Sequence, residues 1–416
     1  MTPIKIVHFA DVHLGMENYG KIDPQTGLNS RLGDFTKSFD EIVKYSIQNK
    51  IDLVAFAGDA YKTRDPSPTY QREFAQRIFQ ISSAGIPVVM VVGNHDFPNA
   101  SGKADTLEIF PTLSVPNVHI FKKEGILTIQ TKSGPIQVAG LPWFTRGQLL
   151  SKAEMVKMNL QDLNMTASQK LTEKINYLSA RIDPKIPAIL VAHAALEKAV
   201  YGSERQVMIG SEVVIPISAF HHSKFAAVLL GHLHKYQIIK DNASPPLIYS
   251  GSIERVDFGE EKETKGFVLT EIIFKNQRFL AQSKFMELPT RPFISIRKKI
   301  SVFDKNPTEQ IISEIKKRRL KSAVVKVIIE VPEEKSLEIR ESAIREALKD
   351  ADFIAGIIKE IQRGEKREIN QGFSDEFLTL DTLGLLEKYL QSKKISRGRI
   401  GVLKKETQKL LEEETL

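Results

Sequence analysis

The 416-residue chain has no cysteine, which excludes disulfides, thiolate catalysis and cysteine-ligated zinc. It has no apolar run approaching the roughly 20 residues of a membrane span. No internal repeat or low-complexity tract stands out. Met1 leads straight into a strand-like segment without the cleavage pattern of a signal peptide, so the expected location is the cytoplasm. What is present is ordinary for a globular protein, at 42% hydrophobic and 26% charged residues. The length predicts two or three domains. A formal net charge of +8 is compatible with an anionic partner such as nucleic acid.

Ile4–Ala10 reads as a strand ending in Asp11-Val12-His13, followed by a turn-rich segment through Gly33 and a helix over about Asp34–Gln48. Asp52–Ala57 is a second strand, ended by Gly58-Asp59. A helix over Thr69–Ser82 leads to a third strand, Pro87–Val92, ended by Gly93-Asn94-His95-Asp96. This β-α-β-α-β order predicts a parallel sheet with its ligand site at the carboxyl ends of the strands. Val118–Phe121, Gly125–Gln130 and Ile136–Ala139 are expected to form a meander, and Leu149–Arg181 to be mostly helical. Ala188–Ala192 is a buried strand ending in His193, followed by a glycine-containing loop near Gly202 and Gly210. The apolar run Phe225–Leu230 is closed by Gly231-His232-Leu233-His234, and strands follow near Tyr236–Ile239, Leu247–Tyr249 and Phe267–Ile273.

The pattern changes near Leu288–Pro292. Phe293–Val302 and Ala323–Val331 read as strands, Thr308–Arg319 and Ser336–Leu348 as helices, together a small α+β domain. Arg363–Phe373 reads as a linker, and amphipathic helices are expected over Asp375–Ser392 and Arg397–Glu414. The expected units are 1–288, 289–362, a linker at 363–374, and 375–416.

Side chains two apart on extended backbone point the same way, so Asp11 with His13, and His232 with His234, are each expected to face one site. Asp59, Asn94, His95 and His193 end other strands, so five segments each deliver donors. Singly, Asp11 reads as a helix cap, Asp59 and Asn94 as turn residues, and His193 as a core histidine. Together, carboxylate, amide and imidazole suit manganese, iron or zinc. Seven donors (Asp11, His13, Asp59, Asn94, His193, His232, His234) exceed the need of one ion. A second ion would use them, with the Asp59 carboxylate as the natural bridge. Two ions about 3.5–4 Å apart can clamp a phosphate and activate a water. His95 is then left beside the site to stabilise developing charge or protonate a leaving oxygen, with Asp96 expected to orient it.

The order Asp-x-His, Gly-Asp, Gly-Asn-His-Asp, a lone strand-end His and Gly-His-x-His resembles that of the calcineurin-like metallophosphoesterases. Within them the chain is similar to the nuclease subunits that act with an SbcC-type ATPase, prokaryotic counterparts of the eukaryotic meiotic recombination nuclease. The resemblance runs from Ile4 to the C-terminal helices and is weaker after Pro292. It implies an α/β metallophosphoesterase β-sandwich flanked by helices, with a small capping domain that orients DNA. It implies one metal held by Asp11, His13, Asp59 and His234, and another by Asp59, Asn94, His193 and His232, manganese being the usual ion. It also implies exonuclease cleavage of double-stranded DNA and endonuclease cleavage of single strands, with His95 catalytic. The implied partners are DNA, a second copy of the chain, and the coiled coil of an SbcC-type ABC ATPase, bound by the last two helices. The implied setting is the nucleoid.

Some relatives carry a second histidine three residues after the bridging Asp, where this chain has Lys62. Lys62 and Arg64 are read as contacts to DNA phosphate, as are Lys316, Lys317, Arg318 and Arg319, although a basic run at a helix end is also a solvated face. Protein phosphatases of the superfamily carry Gly-Asp-x-Val-Asp-Arg-Gly, absent here, and purple acid phosphatases a Tyr three after the Asp, whereas Tyr61 is two after it. A small-nucleotide phosphodiesterase and a non-catalytic scaffold for the ATPase are the alternative readings.

Overall fold

Along the first strand, β1 (Ile4–Phe9), side chains alternate between two cores. Ile4 and Ile6 enter one, Val7 and Phe9 the other, and both faces are covered. A computed structural model of the chain describes residues 2–98, 102–202, 212–221, 223–362, 382–392, 395 and 397–413. β2 (Leu53–Phe56), β3 (Val88–Val91) and β4 (Val118–Phe121) belong with β1. β5 (Gly125–Thr131), β6 (Gly134–Leu141) and β7 (Ala188–His193) open a second sheet. A two-stranded ribbon follows, β8 (Ala195–Leu196) with β9 (Val214–Ile215). β10 (Ala227–Gly231), β11 (Gln237–Ile239) and β12 (Leu247–Tyr249) complete the second sheet. β13 (Gly266–Lys275) and β14 (Arg278–Glu287) return to the first. The strand orders are β14-β13-β1-β2-β3-β4 and β11-β12-β10-β7-β6-β5.

The two sheets pack face to face through Ile6, Leu53, Ala55, Val89 and Val91 on one side and Val138, Ile189, Val191, Leu229 and Ile248 on the other. Helices α1 (Ser30–Gln48) and α2 (Pro68–Ser83) cover the outer face of the first sheet. The helix Leu160–Ala180 covers that of the second. α1 begins a turn before the expected Asp34, because Asn29 accepts a capping bond from the Arg31 N–H at 2.9 Å. The expected meander is not formed. β4 pairs in parallel with β3, whereas β5 and β6 form a hairpin in the other sheet. The Phe121 ring of β4 packs across the sandwich onto β6. It lies where a Cβ on Gly140 would sit, 2.1 Å away, so the bare glycine admits it to the sandwich core. β14 lacks the continuous apolar run of the central strands, and no sequence pattern marks it.

The small domain holds β15 (Phe293–Lys299), β16 (Val324–Pro332) and β17 (Phe353–Gln362), all parallel, with the helices Pro307–Lys316 and Glu341–Ala347 between them. Its strands and helices alternate strictly, a more specific order than the α+β expectation required. The helix expected from Ser336 starts only at Glu341, after a tight 3-10 segment, Glu333–Glu338. Arg291 ties this domain to α1, with Nε and Nη2 donating to the two Asp34 oxygens at 2.6 Å. The linker at 363–374 and the start of the next expected helix, 375–381, lie outside the described residues, as does the loop near Gly210. Thr382–Ser392 and Arg397–Glu413 are helical and are joined by a Lys404–Glu387 ion pair. Among the described residues no helix is long and apolar enough to cross a membrane.

Candidate metal centre

β1, β2 and β3 of one sheet and β7 and β10 of the other end on the same side, and the turns after them carry the polar residues. The turns lace together: the Asp11 N–H donates to the Gly58 carbonyl at 3.0 Å, and the Val12 N–H to the Asp59 carbonyl at 2.9 Å. Extended alternation is not what aims the side chains. Asp11 (φ 52°), His13 (φ 46°), Asp59 (φ 63°) and His232 (φ 99°) all take left-handed backbone, at a cost on the order of 1–3 kcal/mol each. The turns approach so closely that a Cβ on Gly93 would fall 2.2 Å from Asp59 Oδ1, and one on Gly231 2.1 Å from the Ala57 carbonyl oxygen.

All seven expected donors meet here. His13 Nε2 and His234 Nε2 are 3.0 Å apart, and Asp11 joins them with donor atoms all within 4.8 Å. Asp59 Oδ2 stands 3.8 Å from His13 Nε2 and 3.5 Å from His193 Nε2, between the two groups. Asn94 Oδ1 lies 2.9 Å from His193 Nε2 and 3.1 Å from His232 Nδ1. Ligands about 2.1 Å from one ion are separated by about 3.0 Å on an octahedral edge and about 3.4 Å on a tetrahedral one. These spacings therefore fit a cation.

Proton placement fits a cation too. His193 Nδ1 lies 2.7 Å from the Ala57 carbonyl, which only accepts, so Nδ1 carries the proton and Nε2 offers a lone pair. Burial pushes His193 down to about 4, which keeps it neutral near pH 7. Its Nε2 lone pair and the Asn94 oxygen then face each other with no proton between them, an arrangement a metal ion relieves. Burial likewise drives His13 well below its ordinary value. Burial raises Asp11 to about 7. It pushes Asp59 upward as well, but His193, His95 and His13 outweigh it and hold that carboxyl below the usual range. The residues present fit divalent metal.

Further residues, which the sequence alone did not single out, support the donors. Glu212 takes the outer nitrogen of His232, Nε2. Burial lowers His232, and the Glu212 carboxylate reverses that and raises it. Glu260 Oε1 takes Nδ1 of His234 at 2.7 Å. The single tryptophan, Trp143, lays its ring 4.8 Å from that of His232. No local pattern marks these residues.

His95 lies beside the donors, its ring 5.0 Å from that of His13. Its backbone N–H donates to Asp59 Oδ1 at 2.9 Å, and its Nδ1 is 2.8 Å from the Lys62 carbonyl. Asp96 does not take the orienting place expected of it. It is fully buried and accepts from the N–H groups of Asp59 (2.8 Å), Ala60 (3.0 Å) and Gly93 (3.1 Å) and from the Thr106 hydroxyl (3.1 Å). The reason is that both its oxygens are taken by these four donors, while the Lys62 carbonyl takes Nδ1 of His95. Lys62 and Arg64 line an open cleft of about 390 Å³ with Asn94 and His95. Lys316, Lys317, Arg318 and Arg319 are surface groups of the small domain, where Lys317 and Arg318 pair with Glu314. Of the remaining histidines, His8 is fully buried, His119 half-buried and His221 paired with Asp241, while His222 lies outside the described residues.

The profile of the calcineurin-like phosphoesterases matches residues 4–236. The SbcD component of the SbcCD nuclease from Staphylococcus saprophyticus is 26% identical over 68% of this chain and 69% of its own. Its Staphylococcus epidermidis namesake is 27% identical over 65% of this chain and 66% of that one. The Methanosarcina mazei DNA double-strand break repair protein Mre11 is 24% identical over 95% of this chain and 58% of its own. The chain thus spans between 58% and 69% of the length of these relatives.

Proposed function

The chain belongs to the calcineurin-like phosphoesterase family, and from that premise we propose that it is a metal-dependent DNA nuclease. We assign it two-metal phosphodiester hydrolysis, as a double-strand exonuclease and single-strand endonuclease acting with an SbcC-type ATPase. The observation that carries the reading is Asp59 standing between the Asp11–His13–His234 group and the His193–Asn94–His232 group, with His95 and an open cleft lined by Lys62, Arg64 and Asp65 beside them. The names of the SbcD and Mre11 relatives support DNA as the substrate.

Asp11, His13, Asp59 and His234 would hold one ion, and Asp59, Asn94, His193 and His232 the other, with manganese the proposed metal. The pair would supply charge and Lewis acidity to the phosphodiester and its attacking water. The chain's own part falls to His95. Its Nδ1–H donates to the Lys62 carbonyl, which turns Nε2 toward the site. As the imidazolium, with both nitrogens protonated, it would stabilise charge or give the Nε2 proton to the leaving oxygen and be left neutral. Lys62 and Arg64, on the cleft wall, would grip neighbouring phosphates. The small domain would orient DNA, the last two helices would dock on the ATPase coiled coil, and the working unit would be a homodimer.

The test is cleavage of end-labelled duplex and single-stranded DNA with Mn²⁺, Mg²⁺ or chelator, beside Asp59→Ala. Manganese-dependent cleavage that Asp59→Ala abolishes is the expected result. Hydrolysis of a small phosphodiester without DNA cleavage would replace this reading with that of a small-nucleotide phosphodiesterase. Inactivity on both, unchanged when the ATPase is added, would leave a scaffold.

A further inference from the structure

Behind His234 lies a pair of opposite charges that the proposed reaction does not use. Glu260 and Lys265 are both buried, at 0% and 1% exposure. Glu260 Oε1 lies 2.7 Å from His234 Nδ1, while Oε2 accepts from the Val256 N–H at 2.9 Å and stands 2.9 Å from Lys265 Nζ. Lys265 Nζ also donates to the His234 carbonyl at 3.0 Å and to Glu263 Oε2 at 2.8 Å. One ion pair therefore holds the same residue at its ring and at its backbone. Removing two charges from water is costly, and an apolar pair of similar volume often stabilises a fold as well or better. Stability therefore does not account for the pair. A demand on His234 does.

We infer that Glu260, locked by Lys265, is a positioning residue that holds His234 in its Nδ1–H form and so presents the Nε2 lone pair to the metal centre. The carboxylate can only accept, so the proton resides on Nδ1. Among the described residues His13 has no such brace, and its buried Nδ1 has no hydrogen-bond partner. With His234 Nε2 an acceptor, the proton in the 3.0 Å contact between the two Nε2 atoms belongs to His13 in the metal-free chain. The role of this brace in metal binding rests on the centre proposed above; the tautomer itself does not.

The first measurement is the two-bond ¹H–¹⁵N spectrum of the metal-free, ¹⁵N-histidine-labelled protein. His234 is expected with a protonated Nδ1 and a bare Nε2 in the wild type, and with mixed tautomers in Glu260→Leu. A wild-type His234 protonated at Nε2, or a variant with an unchanged tautomer, overturns the inference. The second is titration with Mn²⁺ alone. Glu260→Leu is expected to weaken one of two binding classes by about 10–100-fold and to leave the other in place. Equal weakening of both classes, or of neither, overturns it. Glu260→Gln keeps an acceptor oxygen and is expected to restore most of the affinity and the tautomer. The double variant Glu260→Leu/Lys265→Leu removes both fully buried charges and leaves only the partly exposed Glu263 carboxylate without its lysine, so it tests the same loss without a lone charge in the core. A double variant with both wild-type affinities overturns the inference. A wild-type chain that binds no Mn²⁺ sinks the metal centre while leaving the tautomer assignment readable.

Discussion

Asp96 lies beneath Asp59, its Oδ2 accepting the Asp59 N–H at 2.8 Å while its Oδ1 accepts that of Ala60 at 3.0 Å. The residue that would bridge two ions thus has its left-handed turn held by a second carboxylate, which a third N–H, from Gly93, also reaches. Asp96→Ala strands three buried N–H groups and is expected to cost roughly 3 kcal/mol or more, at about 1–3 kcal/mol per unsatisfied group. Asp96→Asn keeps one acceptor and should cost less. Urea unfolding beside Mn²⁺ titration measures both. An Asp96→Ala protein of wild-type stability and affinity would refute the bracing role.

His95→Ala removes no donor from either proposed ion. It is expected to keep its Mn²⁺ affinity and lose cleavage by about 10²-fold or more, as for other acid or electrostatic groups. Metal titration with single-turnover cleavage separates the two. Undiminished turnover sinks the assignment.

Trp143 is the chain's only tryptophan and packs against both His232 and His193, at ring distances of 4.8 and 6.0 Å. Its fluorescence should therefore report directly on the second donor set. Mn²⁺ is expected to quench it saturably in the wild type, with the midpoint moved to higher metal in His193→Ala. Quenching that is indifferent to that change would place the metal elsewhere.

His8 points into the sandwich, fully buried, with neither ring nitrogen in a hydrogen bond among the described residues. Burial pushes it down to about 3, while the Leu230 carbonyl pulls weakly the other way without reaching hydrogen-bond geometry. The folded chain refuses a proton that the unfolded chain accepts below about pH 6.5. The stability tied to neutral His8 is therefore complete above that pH and is lost progressively as pH falls towards 3, by an amount on the order of 5 kcal/mol. His8→Leu should show a shallower fall in unfolding free energy between about pH 6 and pH 4. Identical slopes in the two proteins would be the contrary result.

Deleting residues 375–416 is expected to abolish capture by an SbcC-type ATPase and to leave manganese-dependent cleavage intact. A pull-down in which the shortened chain still binds refutes the docking role.

The donors of the centre are readable from the sequence because each announces itself locally. A buried apolar run supplies the strand, a small or glycine residue ends it, and a carboxylate or imidazole follows within three positions. Most of the sandwich strands, and the small domain as far as its second helix, are readable for the same reason, since periodicity is a property of neighbours; β14 and β17 are not marked in this way. Which sheet β4 joins is not, because its partner β3 ends some 27 positions earlier and the fit of Phe121 over the bare Cα of Gly140 is made only across the assembled sandwich. Nor is the true place of Asp96, which is set by the N–H groups of Asp59, Ala60 and Gly93 that the packed turns bring to it.

The sequence by itself determined which ligand-type residues end the strands, because residue type and strand ending are written in adjacent residues. Only the tertiary structure decided how those residues are aimed. Left-handed turns at Asp11, His13, Asp59 and His232 replace simple alternation, and Glu260 reaches His234 across 26 positions of sequence. Those contacts form when separate strand ends are packed together, and nothing within a single segment encodes them.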